Sequence, residues 1–265
     1  MTAGSLKDTA YEIDGTGPPL VLVHGMGLNY AMWDWQLPFL TPYFEVIRYD
    51  LLGHGESAKP VKNYNMNNFV DQLVRLADSL ESKSFALAGF SLGGLIVQSF
   101  AVAHPDRVSK LAILCAGPDR SDEERAGMLD RLRLAEREGH VATIEMALER
   151  WFTPGFAIRQ PDVIEKVRRW MSDNDPRVYP LIYKVLATGD KPLAKAITKI
   201  VCPTLVLACE EDHGTSPDMA RRMAKLIPEG RAVIVPKLRH MGLTENPKAI
   251  AHELLPFLRG ETPPI

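Results

Sequence analysis

The sequence predicts an α/β fold, in which a mostly parallel sheet is flanked by helices and interrupted by one helical insertion. Six short apolar runs alternate with helical patterns, and most of the runs are apolar almost throughout. Strands have this composition when helices cover both faces of a parallel sheet. The length of 265 residues suits one large domain, or one domain that carries an insertion.

The predicted strands and helices follow one another along both halves of the chain. The predicted strands are 20–23, 44–49, 85–88, 111–114, 204–208 and 232–235. The first helix carries an apolar face that ends near Leu80, and Asn67 or Asn68 is its expected cap. Two further helices are predicted before His104 and near the C-terminus, over 250–258. This alternation is typical of an open α/β sheet.

The alternation breaks in one stretch, where helical patterns occur without clear strands. Ser121 and Glu124 have the spacing of a capping box, and Gly139 is a plausible helix stop. Pro161 suits the first position of another helix. We therefore divide the chain into the first part of an α/β core at 1–117, a helical cap at 118–200, and the second part of the core at 201–265.

Composition excludes several classes of partner. With 31 basic and 33 acidic residues, the chain has a formal net charge of -2, so we expect neither nucleic acid nor an anionic membrane as partner. No apolar run is long enough to span a membrane, and the first residues lack the pattern of a secretory signal, so we expect a cytoplasmic protein. Cys115, Cys202 and Cys209 sit among apolar residues and are expected to be buried thiols.

A glycine-flanked serine follows the third predicted strand. The run Gly89-Phe90-Ser91-Leu92-Gly93 lies between that strand and an amphipathic helix. A serine at such a turn needs a strained backbone, and the glycines remove the Cβ atoms that would collide there. The helix that starts after the serine directs its N-terminal dipole at the site, which favours developing negative charge. Ser91 is therefore the predicted nucleophile.

The loop after the first predicted strand supplies a candidate oxyanion hole. Its residues His24, Gly25, Met26 and Gly27 let backbone N–H groups point into the space above the serine. The expected donors are the amides of Met26 and Leu92. We expect His24 to satisfy backbone groups of this loop rather than to act as a base.

The base and the acid are predicted from loops that follow later strands. Among seven histidines, His240 fits best, because it follows the last predicted strand by a short loop. Asp212 directly follows the preceding strand and is the preferred acid, while Asp119 is the alternative. The order of serine, aspartate and histidine is the one expected of a hydrolase triad on such a sheet. We expect His54 to fix a tight turn.

Motifs for cofactors and metals were not found in the sequence. The run 15–18 contains two glycines but lacks the lysine and the following helix that a phosphate loop needs. No spacing of His, Cys and Asp is typical of a metal site. We therefore expect no cofactor.

Taken together, these motifs resemble the α/β-hydrolase superfamily. The resemblance covers nearly the whole chain, and its motifs are His24-Gly25-Met26-Gly27, 50–57, 89–94, 210–212 with Pro217, and His240 with 245–247. It implies an α/β-hydrolase fold with the triad named above. The chain departs from the family at Cys209, where many relatives have glycine, and in a short N-terminus that leaves little room for the usual opening hairpin.

Within the superfamily, the chain resembles 3-oxoadipate enol-lactonases and small carboxylesterases. The similar segments are 32–34 and 150–153. The resemblance implies that the insertion is a lid over the site, and we assign Phe90, Arg150 and Trp151 to the substrate pocket. Other aromatic residues of the lid either line the pocket or hold the lid helices together; they are Phe156, Trp170, Tyr179 and Tyr183.

The function that follows is hydrolysis of a small carboxylic ester or enol-lactone through an acyl-enzyme on Ser91. The lid carries many cationic residues, of which one or two are expected to face inward and pair with a substrate carboxylate, Arg150 first. They are Arg131, Arg133, Arg137, Arg150, Arg159, Arg168 and Arg169. Alternatives are a carbon–carbon hydrolase of ring-cleavage products, a cofactor-free perhydrolase, or a ligand receptor that kept the fold.

Overall fold

Eight strands form one sheet in the computed structural model, which describes residues 2–80, 82–118 and 120–261. The strands are β1 Thr2–Leu6, β2 Thr9–Asp14, β3 Pro19–Val23, β4 Glu45–Tyr49, β5 Phe85–Phe90, β6 Val108–Leu114, β7 Thr204–Cys209 and β8 Gly230–Val235. Their spatial order is β1-β2-β4-β3-β5-β6-β7-β8, and β3 to β8 are parallel to one another. All six predicted strands are confirmed, with ends that differ by at most three residues.

The first two strands form the opening hairpin for which we expected little room. β1 and β2 are antiparallel and are joined by a two-residue turn, since Leu6 pairs with Thr9. β2 continues the sheet by pairing antiparallel with β4, where Tyr11 lies opposite Tyr49. The expectation was wrong because so tight a turn lets the hairpin fit within the first 14 residues.

Helices cover both faces of the sheet. They are α1 Leu37–Leu40, α2 Met66–Ser79, α3 Leu92–Ala103, α4 Asp122–Glu138, α5 Ile144–Trp151, α6 Pro154–Arg159, α7 Pro161–Ser172, α8 Tyr179–Thr188, α9 Leu193–Ala196, α10 Pro217–Leu226, α11 Gly242–Glu245 and α12 Pro247–Arg259. Short 3₁₀ helices lie at Tyr30–Trp33, Pro105–Arg107, His140–Thr143 and Ile197–Lys199. Among the residues described, no helix is both long enough and apolar enough to cross a membrane.

The core lies in two layers, one on each face of the sheet. Along β3, Val21 and Val23 belong to one cluster of buried side chains, and Leu20 and Leu22 belong to the other. Successive side chains of a strand point to opposite faces. This explains why the strand is apolar at every position rather than at every second one.

The predicted capping box of α4 is confirmed, whereas the cap of α2 differs from the predicted one. Ser121 accepts a hydrogen bond from the amide of Glu124 at 3.1 Å, and the Glu124 carboxylate accepts one from the amide of Ser121. The cap of α2 is Asn65 instead of Asn67 or Asn68. Asn65 and Asn68 form a reciprocal pair, each side chain accepting from the other's amide. The first turn of α2 therefore starts earlier than its apolar face.

The regular elements between β6 and β7 are all helices, as far as the structure describes this stretch. It lies over the loop that follows β3. The side chain of Asn174 donates a hydrogen bond to the carbonyl oxygen of Gly27 at 3.0 Å, and Tyr179 lies directly beside Gly27. The inserted helices are thus held above the carboxyl ends of the parallel strands.

A buried ion pair joins the first and last parts of these helices. Asp190 is fully buried and accepts hydrogen bonds from both terminal nitrogens of Arg125, at 2.6 and 3.0 Å. The guanidinium of Arg120 lies 3.5 Å from the same carboxylate. Burial by itself would raise the pKa of Asp190, but the hydrogen bonds from Arg125 and the charge of Arg120 outweigh it and lower the pKa. The carboxylate is therefore charged and links α4 to the end of α8.

We expect Asp190→Ala to lower the free energy of unfolding by about 3–5 kcal/mol, because it leaves two largely buried guanidinium groups without their shared counter-ion. Asp130→Ala is the matched control, since Asp130 pairs with Arg133 on the exposed side of α4 and should matter little. Urea denaturation of both variants measures the difference. Equal losses in the two variants would contradict the expected role of Asp190.

Candidate active site

Ser91 stands at a sharp turn between β5 and α3. Its backbone has φ 54° and ψ −115°, a conformation that costs a non-glycine residue on the order of 1–3 kcal/mol. The two flanking glycines permit this turn. A Cβ atom on Gly89 would lie 2.4 Å from the carbonyl oxygen of Gly93, and one on Gly93 would lie 2.3 Å from that of Val23. The predicted need for glycine at both positions is confirmed.

The loop after β3 lies directly against Ser91. A Cβ atom on Gly25 would come within 3.2 Å of the Cβ atom of Ser91, and the next residue, Met26, lines the same cavity as Ser91. Leu92 is the first residue of α3, where a backbone N–H has no acceptor within the helix. The positive end of the helix dipole also lies at this point. Met26 and Leu92 therefore both lie near the serine.

His24 and His54 hold this loop instead of facing the cavity. The Nε2 atom of His24 accepts a hydrogen bond from the amide of Leu51 at 2.9 Å, and its Nδ1 donates to the carbonyl oxygen of Gly25 at 2.8 Å. The Nε2 atom of His54 accepts from the amide of Gly27 at 3.0 Å. Burial lowers the pKa of both rings, that of His54 to about 4, so both are neutral.

A buried histidine–aspartate pair lies at the ends of the last two strands. The Nδ1 atom of His240, in the loop after β8, donates a hydrogen bond to Oδ2 of Asp212 at 2.7 Å. The other oxygen of Asp212 accepts from the amides of Gly214 and Thr215, at 2.8 and 3.2 Å. These bonds orient the carboxylate, and the carboxylate orients the ring. Asp119, the alternative acid, lies outside the described residues.

The loop that carries His240 is attached to the inserted helices. The amide of Met241 donates to the carbonyl oxygen of Trp151 at 2.9 Å, and the Trp151 ring lies 5.8 Å from the His240 ring. Phe90 was assigned to the pocket, but its side chain is buried behind His240, with ring centroids 4.8 Å apart. The reason is its position as the last residue of β5, beneath the turn that exposes Ser91.

A cavity of about 320 Å³ opens above these groups. From the core it is lined by Ser91, Asp212, His240 and Met26, and from the inserted segment by Arg120, Glu123, Glu124, Arg131, Arg150, Trp151, Tyr179 and Tyr183. Two predicted aromatic residues face elsewhere. Phe156 stacks on Phe152, and Trp170 packs against Trp35.

Two guanidinium groups in the cavity wall lack an acidic partner among the described residues. Arg131 donates from Nε to the hydroxyl of Tyr183 at 3.0 Å, and Arg150 donates from Nε to the carbonyl oxygen of Met146. Burial, and then the charge of Arg131, lower the pKa of Arg150. The positive charges of Arg131 and Arg150 therefore both face the cavity. By contrast, acidic residues at the surface pair with Arg133, Arg137 and Arg168.

Comparison with known proteins agrees with this geometry. Residues 20–253 match the Alpha/beta hydrolase family. The (E)-2-((N-methylformamido)methylene)succinate hydrolase of Acinetobacter baylyi is 31% identical over 96% of this chain and 94% of its own length. The enol-lactonase of Burkholderia xenovorans has a TM-score of 0.88 at 27% identity, covering 97% of this chain and 100% of its own. A malate-bound thermophilic esterase from Thermogutta terrifontis has a TM-score of 0.87 at 29% identity, covering 95% and 93%. The chain therefore belongs to the alpha/beta hydrolase family, and it is a hydrolase.

Proposed function

We propose that this hydrolase cleaves a small carboxylic ester or enol-lactone through an acyl-enzyme on Ser91. One observation carries the proposal: a serine in a strained turn lines the same cavity as a buried histidine–aspartate pair. Three side chains of these types, from the ends of three parallel strands, are the components of a serine-hydrolase triad. The enol-lactonase and esterase likenesses support the same class of substrate.

The proposed reaction has two stages. Because Nδ1 of His240 donates to Asp212, its Nε2 is free to take the proton of Ser91 as the serine attacks the carbonyl carbon. The amides of Met26 and Leu92 stabilise the oxyanion, assisted by the dipole of α3. His240 then protonates the leaving group, and a water molecule activated by the same ring hydrolyses the acyl-enzyme.

The cavity supports a small substrate with a carboxylate. Its volume of about 320 Å³ is at the lower end of the range for small-molecule sites. The guanidinium groups of Arg131 and Arg150 repel each other, and a substrate carboxylate between them would relieve that repulsion through charge-assisted hydrogen bonds. The relative that acts on a succinate derivative and the malate-bound esterase support this proposal.

Ser91→Ala should leave the fold intact and lower kcat by about 10³-fold or more, because the nucleophile is lost. Ser99→Ala is the matched control on the same helix. Its hydroxyl donates to the carbonyl oxygen of Leu95 and lies outside the cavity, so most activity should remain. Steady-state rates on short esters and lactones measure both variants. Activity of Ser91→Ala above a few per cent would remove the acyl-enzyme from the mechanism, and the absence of turnover in wild type would favour a ligand receptor.

The pH dependence of hydrolysis should be the same in wild type and in His54→Gln, because the buried His54, with its pKa lowered to about 4, is neutral at neutral and mildly acidic pH. Rates of wild type and His54→Gln over that pH range test this prediction. A pH profile that moves in His54→Gln would mean that His54 gains or loses a proton in the range where the enzyme works.

Arg150→Ala and Arg131→Ala should each lower kcat/KM for a short ester with a free carboxylate by about 10–100-fold, the effect of one charge-assisted hydrogen bond. Both variants should spare the same ester with its carboxylate masked. Arg133→Ala is the control, since Arg133 lies on the same helix as Arg131 but at the surface. Equal losses on the two esters would mean that these arginines only support the inserted helices.

A further inference from the structure

Three side chains of different donor chemistry meet at the floor of the cavity. Cys115, Asp212 and His240 each offer one ligand atom, and these atoms all lie within 4.8 Å of one another. All three residues are buried. A thiolate, a carboxylate and an imidazole are the donors that Zn²⁺ and similar thiophilic divalent cations prefer. Sequence spacing predicted no metal site, because the three residues follow three different strands.

The backbone of Cys115 is fixed in an unusual conformation. It has φ 48°, in the left-handed region that few non-glycine residues adopt. Its amide donates to the carbonyl oxygen of Leu207 at 2.8 Å, and its own carbonyl oxygen accepts from the hydroxyl of Thr215 at 3.1 Å. Together these bonds hold the backbone of the residue on both sides. Its thiol donates a hydrogen bond to Sγ of Cys209 at 3.8 Å and lies within 4.8 Å of a carboxylate oxygen of Asp212.

The carboxylate of Asp212 is held just as firmly, through the amides of Gly214 and Thr215. Thr215 therefore forms hydrogen bonds with both Cys115 and Asp212 and sets the spacing between these two residues. Metal sites depend on such outer contacts, which orient the ligands before the ion arrives. Cys115 also lines the cavity, so an ion can enter from the pocket and keep one coordination position open to it.

We propose that Cys115, Asp212 and His240 bind one Zn²⁺ ion reversibly and that this binding inhibits the enzyme. On binding, the Cys115 thiol gives up its hydrogen bond to Sγ of Cys209 and releases its proton to solvent. The proton on Nδ1 of His240 is lost to solvent while Nε2 takes one up, so that Nδ1 coordinates the ion and the ring stays neutral. An oxygen of Asp212 exchanges its hydrogen bond with Nδ1 for a bond to the ion. With Nε2 protonated, the ring can no longer accept the proton of Ser91.

The metal site stands on the cluster alone, whereas the inhibition also rests on the proposed function. Titration of the 265-residue chain with Co²⁺ separates the two, since a thiolate–cobalt bond gives a charge-transfer band in the near ultraviolet. We expect the band to saturate at one Co²⁺ per chain and to be displaced by Zn²⁺. Ser91→Ala should show the same band, because the serine is not a ligand.

Cys115→Ser should abolish the band, with Cys115→Ala as a second variant should the first fail to fold. Cys202→Ser is the control, since Cys202 is a buried thiol that lies outside the cluster and the cavity. In wild type, Zn²⁺ should inhibit hydrolysis and EDTA should restore it. In Cys115→Ser, the inhibitory Zn²⁺ concentration should rise at least about ten-fold, measured against that variant's own metal-free rate.

The absence of a cobalt band in wild type, or an equal band in Cys115→Ser, would overturn the metal site and leave the proposed function untouched. A band without loss of activity would overturn the inhibition and would also count against His240 as the base.

Discussion

The constraint on which the rest of the structure depends is the close packing around the strained turn at Ser91. Backbone atoms of the loop after β3 and of α3 approach so closely that Gly89 and Gly93 leave no space for a Cβ atom. A strained conformation persists only where its surroundings enforce it. Here the sheet enforces it from below through the bond from the amide of Ser91 to the carbonyl oxygen of Leu114. The parallel sheet therefore fixes the position of Ser91, and its strand ends also position Asp212 and His240.

The six parallel strands and the turn at Ser91 could be predicted from the sequence, because buried strands form apolar runs and the turn needs glycine on both sides. The opening hairpin could not, since β1 and β2 mix polar and apolar residues; β1 is held by pairing with β2, and β2 by pairing with β4. The directions in which side chains point could not be predicted from the sequence either. The position of Phe90 behind His240 and the inward direction of Arg131 depend on how whole elements pack, which no local pattern records.

The inserted helices use their charges in two different ways. At Asp190, two arginines share one buried carboxylate, which balances one of their two positive charges. At Arg131 and Arg150, two further arginines face the cavity without such a partner among the described residues. The first arrangement links α4 to the segment after α8, and the second places two positive charges in a cavity wall that also contains Glu123, Glu124 and Asp212. The carbonyl oxygen of Trp151 also accepts a hydrogen bond from the amide of Met241, so the inserted helices are joined to the loop that carries His240.

The neutral state of His24 and His54 has a consequence for the whole fold through proton linkage. An unfolded chain would protonate both imidazoles near the ordinary histidine pKa, whereas the folded chain keeps His54 neutral down to about pH 4. The unfolded state thus binds more protons between these values, so acidification draws the equilibrium toward it. The slope approaches about 1.4 kcal/mol per pH unit for each ring. The histidines that secure the loop beside the serine thereby also limit how acidic a solution the native state can withstand.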